Sequence, residues 1–339
     1  MRVAVVGLGL MGMLHSRILL TERDVTSVVG IEINRERACK ASIDLNIPIL
    51  PSLRDVLDEV DAVSITLPDD LHVDAAVCAL QAGKYVFVEK PLATTSAECM
   101  VILDAQSAPG RLMVGHVLRF DERLRELKRR LDSGSLGKLR YVKIHRSNST
   151  AGGQRVGQRV SVTAFLGVHD LDLLLWLTSQ EIVDVQASGR RVFGKSWDVS
   201  VASLSMSGGT LAQVENHWLL HSASARSALA GIQIFGDEGT ALIDLSTAEL
   251  ELVTDADPRS VRIDTRNWTH DADVSGGALR REINSFVRAA HDGSPVEITG
   301  EEGYRAVHAV ELVERAIRSS SDNVSAERSL ESGTQSIDR

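Results

Sequence analysis

The stretch from Arg2 to about Thr21 narrows the possible folds more than any other. A short apolar run, Val3-Ala4-Val5-Val6, enters Gly7-Leu8-Gly9-Leu10-Met11-Gly12, and an amphipathic helical pattern follows. This is G-x-G-x-x-G between a strand and a helix, the setting in which the pattern carries physical meaning. Gly7 makes the tight turn, Gly9 lets a pyrophosphate approach the backbone, and Gly12 lets the helix pack close to the strand. The free N–H groups at the helix N-terminus, around Leu10 and Met11, then face the phosphates.

The next strand, Val25 to Ile33, carries Glu32, which lies 20 residues beyond Gly12. An acid there accepts hydrogen bonds from ribose hydroxyls and repels a 2′-phosphate, so the expected cofactor is NAD rather than NADP. Arg35 and Arg37 follow closely and soften that preference, since a nearby arginine can hold the phosphate. Strand and helix then alternate: Asp61 to Leu67, Asp69 to Ala82 closed by Gly83, Tyr85 to Val88, Ser96 to Ser107, and Arg111 to His116. Such repetition specifies an α/β fold with a doubly wound parallel sheet.

Within it, Val86-Phe87-Val88 reads as a strand covered on both faces, followed by Glu89-Lys90-Pro91. The carboxyl edge of such a sheet is where ligands bind. Pro91 keeps Lys90 out of the helical region, so the lysine is presented on a stiff turn. The plain alternative is a strand end with two solvated charges.

The 339 residues suffice for two domains, and 43% hydrophobic with 24% charged residues is ordinary for a globular protein. A net charge of -9 argues against non-specific binding to nucleic acid or anionic membranes. No apolar run is long enough to span a bilayer, and no leader is expected ahead of the first strand. Three dispersed cysteines, Cys39, Cys78 and Cys99, fit neither a disulfide framework nor a metal site, which points to reduced thiols, a cytoplasmic setting and no metal. His15, His72, His116 and His145 lack ligand spacing.

The chain resembles the glucose–fructose oxidoreductase, inositol dehydrogenase and MocA family of NAD(P)-dependent enzymes. The resemblance is carried by the glycine turn, Thr66-Leu67-Pro68 with His72, Ala79 to Lys84, and above all Glu89-Lys90-Pro91. It continues through Arg119-Phe120-Asp121, Ser133 to Gly137, and Gly167-Val168-His169-Asp170-Leu171-Asp172 with Trp176, over roughly residues 1 to 318. It implies a Rossmann domain over 1–118, then an α+β domain with an open, largely antiparallel sheet over 119–318 for substrate binding and oligomerisation. It also implies that Thr66, Pro68, His72, Glu89 and Lys90 bind cofactor, that Lys90 and Arg119 bind substrate, and that hydride passes between nicotinamide and a carbon bearing a hydroxyl. Residues 319–339 are polar and read as a disordered tail.

In the second part, Glu122 to Leu131 reads as a helix with a basic face, and Arg140 to Asn148 as a strand. Residues 149 to 159, with Gly152-Gly153, Arg155 and Arg159, read as a glycine-rich loop whose arginines could hold a phosphate or nucleotide-sugar; an ordinary surface loop is the alternative. Thr163 to Thr178 reads as a buried helix on which His169 and Asp172 share a face with Trp176, while Asp170 points about 100° away. Relatives that oxidise inositol carry an Asp four residues before this histidine; here that position is Phe165, which offers an apolar wall to a sugar ring or the nicotinamide. His145 falls where some relatives place a further substrate-contacting histidine. From Ile182 to about Val253 strands alternate, with Ser207-Gly208-Gly209 as a hairpin turn, and helices at Gly277 to Ala290 and Glu301 to Arg318 close the chain. The free face of that sheet predicts a homodimer or homotetramer. Trp268 and His270 are further substrate-side candidates.

The expectation is therefore hydride transfer between NAD(P) and a secondary hydroxyl of a sugar, sugar derivative or cyclitol. Lys90 is the general acid/base, His169 orients the hydroxyl or relays the proton, and Asp172 holds the histidine tautomer. The alternatives are a sensor that binds NAD and a sugar without chemistry, prompted by Phe165, and the same chemistry on a phosphorylated or nucleotide-linked sugar held by Arg155 or Arg159.

Overall fold

A computed structural model describes residues 1–221, 228–246, 249–254, 261–262 and 277–334, the side chains of 249–254, 261–262 and 321–334 excepted. The chain divides into two compact units, Met1–Arg125 with Thr265–His308, and Glu126–Asp264 with Ala309–Arg339.

The first unit opens with β1 (Arg2–Val6) and α1 (Leu10–Leu19), then β2 (Ser27–Ile31), α2 (Arg35–Leu45), β3 (Ile49–Leu50) and β4 (Ala62–Ile65). It continues through α3 (His72–Gln81), β5 (Tyr85–Glu89), α4 (Ser96–Asp104) and β6 (Leu112–Gly115). Among the described residues these strands form one parallel sheet in the order β3-β2-β1-β4-β5-β6. The strands read as unbroken apolar runs because helices cover both faces, and Val3, Ala4, Val5, Ala62, Val63, Val86 and Val88 are wholly buried. The order reverses at β1, so the carboxyl ends of β1, β4 and β5 line one edge of the sheet. Thr95 and Glu98 close a reciprocal capping box that starts α4. The expected helix from Asp69 is a 3-10 turn over Asp69–Leu71 that passes into α3.

The helix α5 (Glu122–Asp132) leads into the second unit, with β7 (Leu139–Ser149), α6 (Thr150–Val156) and α7 (Val168–Thr178). Strands β8 (Ile182–Arg190), β9 (Val199–Met206), β10 (Leu211–Leu220), β11 (Ala228–Gly236), β12 (Gly239–Asp244), β13 (Glu249–Thr254) and β14 (Val261–Arg262) complete its sheet. Among the described residues the order is β14-β13-β12-β11-β7-β10-β9-β8, antiparallel except for the β7–β10 pair. The turn at Ser207–Gly209 joins β9 to β10 as expected, with Gly209 at φ 82°.

Three expectations need correction. Residues 150–156 form α6 rather than a loop: the Ser149 hydroxyl accepts the Gly152 N–H, and this cap offsets the helix cost of Gly152-Gly153. The helix expected from Thr163 begins as a π-helical turn, Thr163–Gly167, before α7. After α8 (Ala278–Asp292), α9 (Gly300–Thr334) runs through the start of the expected tail at 319, where neither Gly nor Pro interrupts it between Gly303 and Gly333. Residues 335–339 of that tail, and Trp268 and His270, lie outside the described residues.

Candidate active site

The glycine turn is built from room and from its absence. Gly7 sits at φ 90°, a conformation that excludes a side chain. A Cβ on Gly12 would come within 2.0 Å of the Gly7 carbonyl oxygen and 2.8 Å of Thr66 Oγ1, whereas a Cβ on Gly9 would meet open space. The Thr66 hydroxyl donates to the Gly7 carbonyl at 2.7 Å, so Thr66 shapes the turn from β4. Leu10 is exposed at the head of α1, and Met11 is half-buried beside it. Glu32, 7% exposed, accepts the Leu8 N–H at 3.1 Å, the Asn34 N–H at 2.8 Å and Arg37 at 3.2 Å. The carboxylate is thus fixed at the end of β2 and points to the turn. A dinucleotide fits this cradle: open backbone at Gly9, helix N–H groups above it, and an acid one strand over.

Two strands along the same edge stands Lys90, half-buried, beyond β5. Its own N–H donates to Glu89 Oε2 at 3.2 Å, and Glu89 Oε1 faces His15 Nε2 at 3.2 Å. His15 Nδ1 faces Ser64 Oγ at 2.9 Å, and its ring meets Phe87 edge-on. The peptide bond between Lys90 and Pro91 is cis. His72, expected to touch cofactor, is wholly buried, with its ring nitrogens against the Leu67 and Pro91 carbonyl oxygens, both at 2.9 Å. Pro68, beside Leu67, is exposed at the sheet edge. Arg119, expected to bind substrate, is buried and ion-paired with Glu302. Glu302 is set there by a reciprocal cap with Thr299 at the head of α9, whose geometry leaves one carboxylate oxygen for the arginine.

In the second unit, α7 packs on β7 and β10. Asp170, wholly buried, accepts Arg146 Nε of β7 at 2.9 Å and Asn216 Nδ2 of β10 at 2.7 Å. Asp170, read as pointing about 100° away from His169, thus pins α7 to the sheet, with His169 half-buried beside it and Asp172 buried further along the helix. Phe165 lies 5.5 Å from Trp218, ring centre to ring centre, in a cluster with Val162 and Leu166. It thus packs against the core of its own unit. His145 is not brought beside His169. Strand alternation turns it to the face opposite Arg146, and α7 covers the Arg146 face. There His145 lines a cavity of about 300 Å³ with Gly231, Gln233, Leu242 and Asp244. On the same face burial holds the His217 imidazole below its ordinary value; Glu215 pulls the other way, and His145 adds to the lowering. Arg155 lies in the last turn of α6.

His15, Ser64, Arg146 and Asn216 carried no sequence signal for these roles. Their partners are 24 to 74 positions away, and the packing of α1 and α7 on their sheets brings them together.

Residues 1–116 match an oxidoreductase family with an NAD-binding Rossmann fold, and residues 124–242 match the GFO/IDH/MocA C-terminal domain. Inositol 2-dehydrogenase 2 of Saccharopolyspora erythraea is 30% identical over 321 residues, covering 92% of this chain and 91% of its own. UDP-N-acetylglucosamine 3-dehydrogenase of Acidithiobacillus ferrooxidans is 29% identical over 320 residues, covering 94% and 97%. A crystal form of that enzyme matches in structure with a TM-score of 0.79 at 27% identity, over 94% of this chain and 98% of that one. Levoglucosan dehydrogenase, in complex with NADH and levoglucosan, shares the fold with a TM-score of 0.83 at 19% identity, over 94% and 97%. With its glycine turn, its Lys90 turn and both domains matched, the chain belongs to the GFO/IDH/MocA family of NAD-binding oxidoreductases, and it is a dehydrogenase.

Proposed function

We propose that the protein oxidises or reduces a secondary hydroxyl of a sugar, sugar derivative or cyclitol, with residues 1–118 holding the dinucleotide and 119–318 the substrate. The observation that carries this is the order β1-β4-β5 at one sheet edge. Two strand spacings, about 10 Å, separate the glycine turn from Lys90, the reach from a pyrophosphate to its nicotinamide ring. Bound nicotinamide supplies the hydride acceptor or donor. Lys90 takes the hydroxyl proton during oxidation and returns it during reduction. His169 orients the hydroxyl, and Asp172, on the same face of α7, holds the His169 tautomer. Glu32, already holding Arg37, favours NAD over NADP. The open face of the second sheet, with Leu211 and Phe235 exposed, is read as the homo-oligomer surface. The free thiols of Cys39, Cys78 and Cys99 suit a reducing cytoplasm.

The test is Lys90→Ala against a panel of cyclitols, sugars and nucleotide-sugars, followed by the absorbance of reduced nicotinamide. The expected result is loss of turnover with NAD affinity kept. Turnover above a few per cent of the parent defeats the assignment. The match to a UDP-N-acetylglucosamine 3-dehydrogenase favours a second reading, in which Arg155 or Arg159 holds a nucleotide-sugar phosphate. An Arg155→Ala/Arg159→Ala variant then loses substrate affinity with NAD affinity unchanged.

A further inference from the structure

Both chain neighbours of Lys90 have a polar atom facing a buried imidazole. On the amino side Glu89 Oε1 lies 3.2 Å from His15 Nε2, and Glu89 Oε2 accepts the Lys90 N–H. On the carboxyl side the Pro91 carbonyl oxygen lies 2.9 Å from His72 Nδ1. The far nitrogen of each ring reaches β4 or the residues just past it: His15 to Ser64 Oγ, and His72 to the Leu67 carbonyl. Each ring is 1% exposed. Two buried rings therefore bridge the same pair of neighbouring strands, β4 and β5, one on each side of one lysine.

We infer that His15 and His72 are positioning residues for Lys90. They fix the turn between the glycine turn's helix, which carries His15, and the Thr66–Pro68 stretch, whose Leu67 carbonyl faces His72. The inference rests on the reading of Lys90 as the proton-transfer group. A proton carrier must stand within hydrogen-bond reach of the hydroxyl it serves, and a misplacement of about 1 Å can cost about a hundredfold in rate. The partners differ in kind. Glu89 accepts only, and the Ser64 hydroxyl either donates or accepts, so a neutral His15 satisfies both. His72 faces two carbonyls, so a neutral ring donates to one and a protonated ring to both.

This difference sets the test. Asn mimics the Nδ1 position of histidine and Gln the Nε2 position. His72→Asn therefore keeps a donor toward Pro91, His72→Gln keeps one toward Leu67, and His72→Phe keeps neither. In the full chain with saturating NAD, His72→Phe is expected to speed hydrogen exchange over the 88–93 segment about tenfold or more. With a substrate found in the panel above, kcat falls about tenfold to a hundredfold while KM and NAD affinity stay within about threefold. His72→Asn restores most of kcat and His72→Gln does not. Restoration that follows thermal stability, equal for Asn and Gln, overturns the positioning role, as does an unchanged kcat in His72→Phe. Should His72→Phe not fold, His15→Leu against His15→Gln carries the same comparison through Glu89. If Lys90→Ala stays active, the reading of Lys90 fails, whereas hydrogen exchange still decides whether the histidines hold the turn.

Discussion

The Lys90 turn and the His169 helix solve one problem by different chemistry. Each must hold a polar residue still at the edge of an apolar structure. Around Lys90 the holding groups are two imidazoles, whose ring nitrogens face backbone carbonyls, a hydroxyl and one half-buried carboxylate. Around His169 they are a buried carboxylate tied to a guanidinium and an amide from two strands of a sheet. A neutral donor that loses its partner leaves a polar group short of one bond, worth about 1–3 kcal/mol. A buried ion that loses its partner is left charged in an apolar place, at about 3–5 kcal/mol. The first arrangement tolerates small adjustment of the turn; the second locks the helix or loses it.

The strongest way to break the comparison is to cut the ion pair. Arg146→Ala strands the Asp170 carboxylate, which is wholly buried. Urea unfolding of the full chain is expected to show a loss of about 3–5 kcal/mol, with the near-ultraviolet signal of the helix region weakened before the Rossmann part unfolds. Replacing both partners, Arg146→Met with Asp170→Leu, is expected to recover part of that loss. The remainder comes from Asn216, whose amide then lacks its acceptor, at about 1–3 kcal/mol. If the single and double variants are equally stable, charge is not what makes this anchor strong.

The nucleotide side depends on room instead. Gly12→Ala places a methyl group against the Gly7 carbonyl, a backbone atom that cannot step aside. The expected cost is about 1–3 kcal/mol in stability. NAD affinity, measured by calorimetry, is expected to fall more than about tenfold because the turn that meets the pyrophosphate is displaced. Unchanged affinity would show that the turn is softer than its contacts imply. Glu32→Gln is milder: the amide keeps one acceptor for the Leu8 or Asn34 N–H but turns a donor toward the other. A fall in NAD affinity of about three- to tenfold, with a smaller gap between NAD and NADP, is expected from paired titrations.

How much of this was legible follows from sequence distance. The glycine turn and Glu89-Lys90-Pro91 are contiguous, so their chemistry and the parallel sheet around them could be read directly. Glu32 was legible because one strand and one helix separate it from the turn. Asp170 was separated from His169 by helical spacing, but its partners were not legible, because spacing states which residues share a face and not which face meets a sheet. The surroundings of His145 were hidden for the matching reason: alternation sets its side of β7, and only the packing of α7 tells which side is covered. Residues 150–156 failed through composition, where two glycines outweighed the cap at Ser149.

The smallest effect supplies the control for the largest. Arg140 stands on β7, as Arg146 does, and grips Asp237 with two parallel bonds, Nε to Oδ1 at 2.7 Å and a terminal nitrogen to Oδ2 at 2.8 Å. Both side chains are exposed, 57% and 44%. The hydrogen bond from Arg140 holds the Asp237 carboxyl below its ordinary value, slight burial opposes this, and the charges of Arg140 and Lys138 add to the lowering. A carboxyl depressed in the folded state contributes stability that is present above its ordinary value, about 3.9, and lost as pH falls through the lower folded value. Near neutral pH that contribution is present but small: Arg140→Ala is expected to leave the thermal midpoint within error of the parent, because solvent screens the pair and holding two long side chains offsets most of its attraction. A carboxyl-carbon NMR titration of Asp237 is expected to move up toward the ordinary value in the same variant. Two arginines on one strand would then give opposite outcomes with nearly the same bond lengths. A loss of stability at Arg140 comparable to that at Arg146 would show that geometry, rather than burial, decides what an ion pair on this sheet is worth.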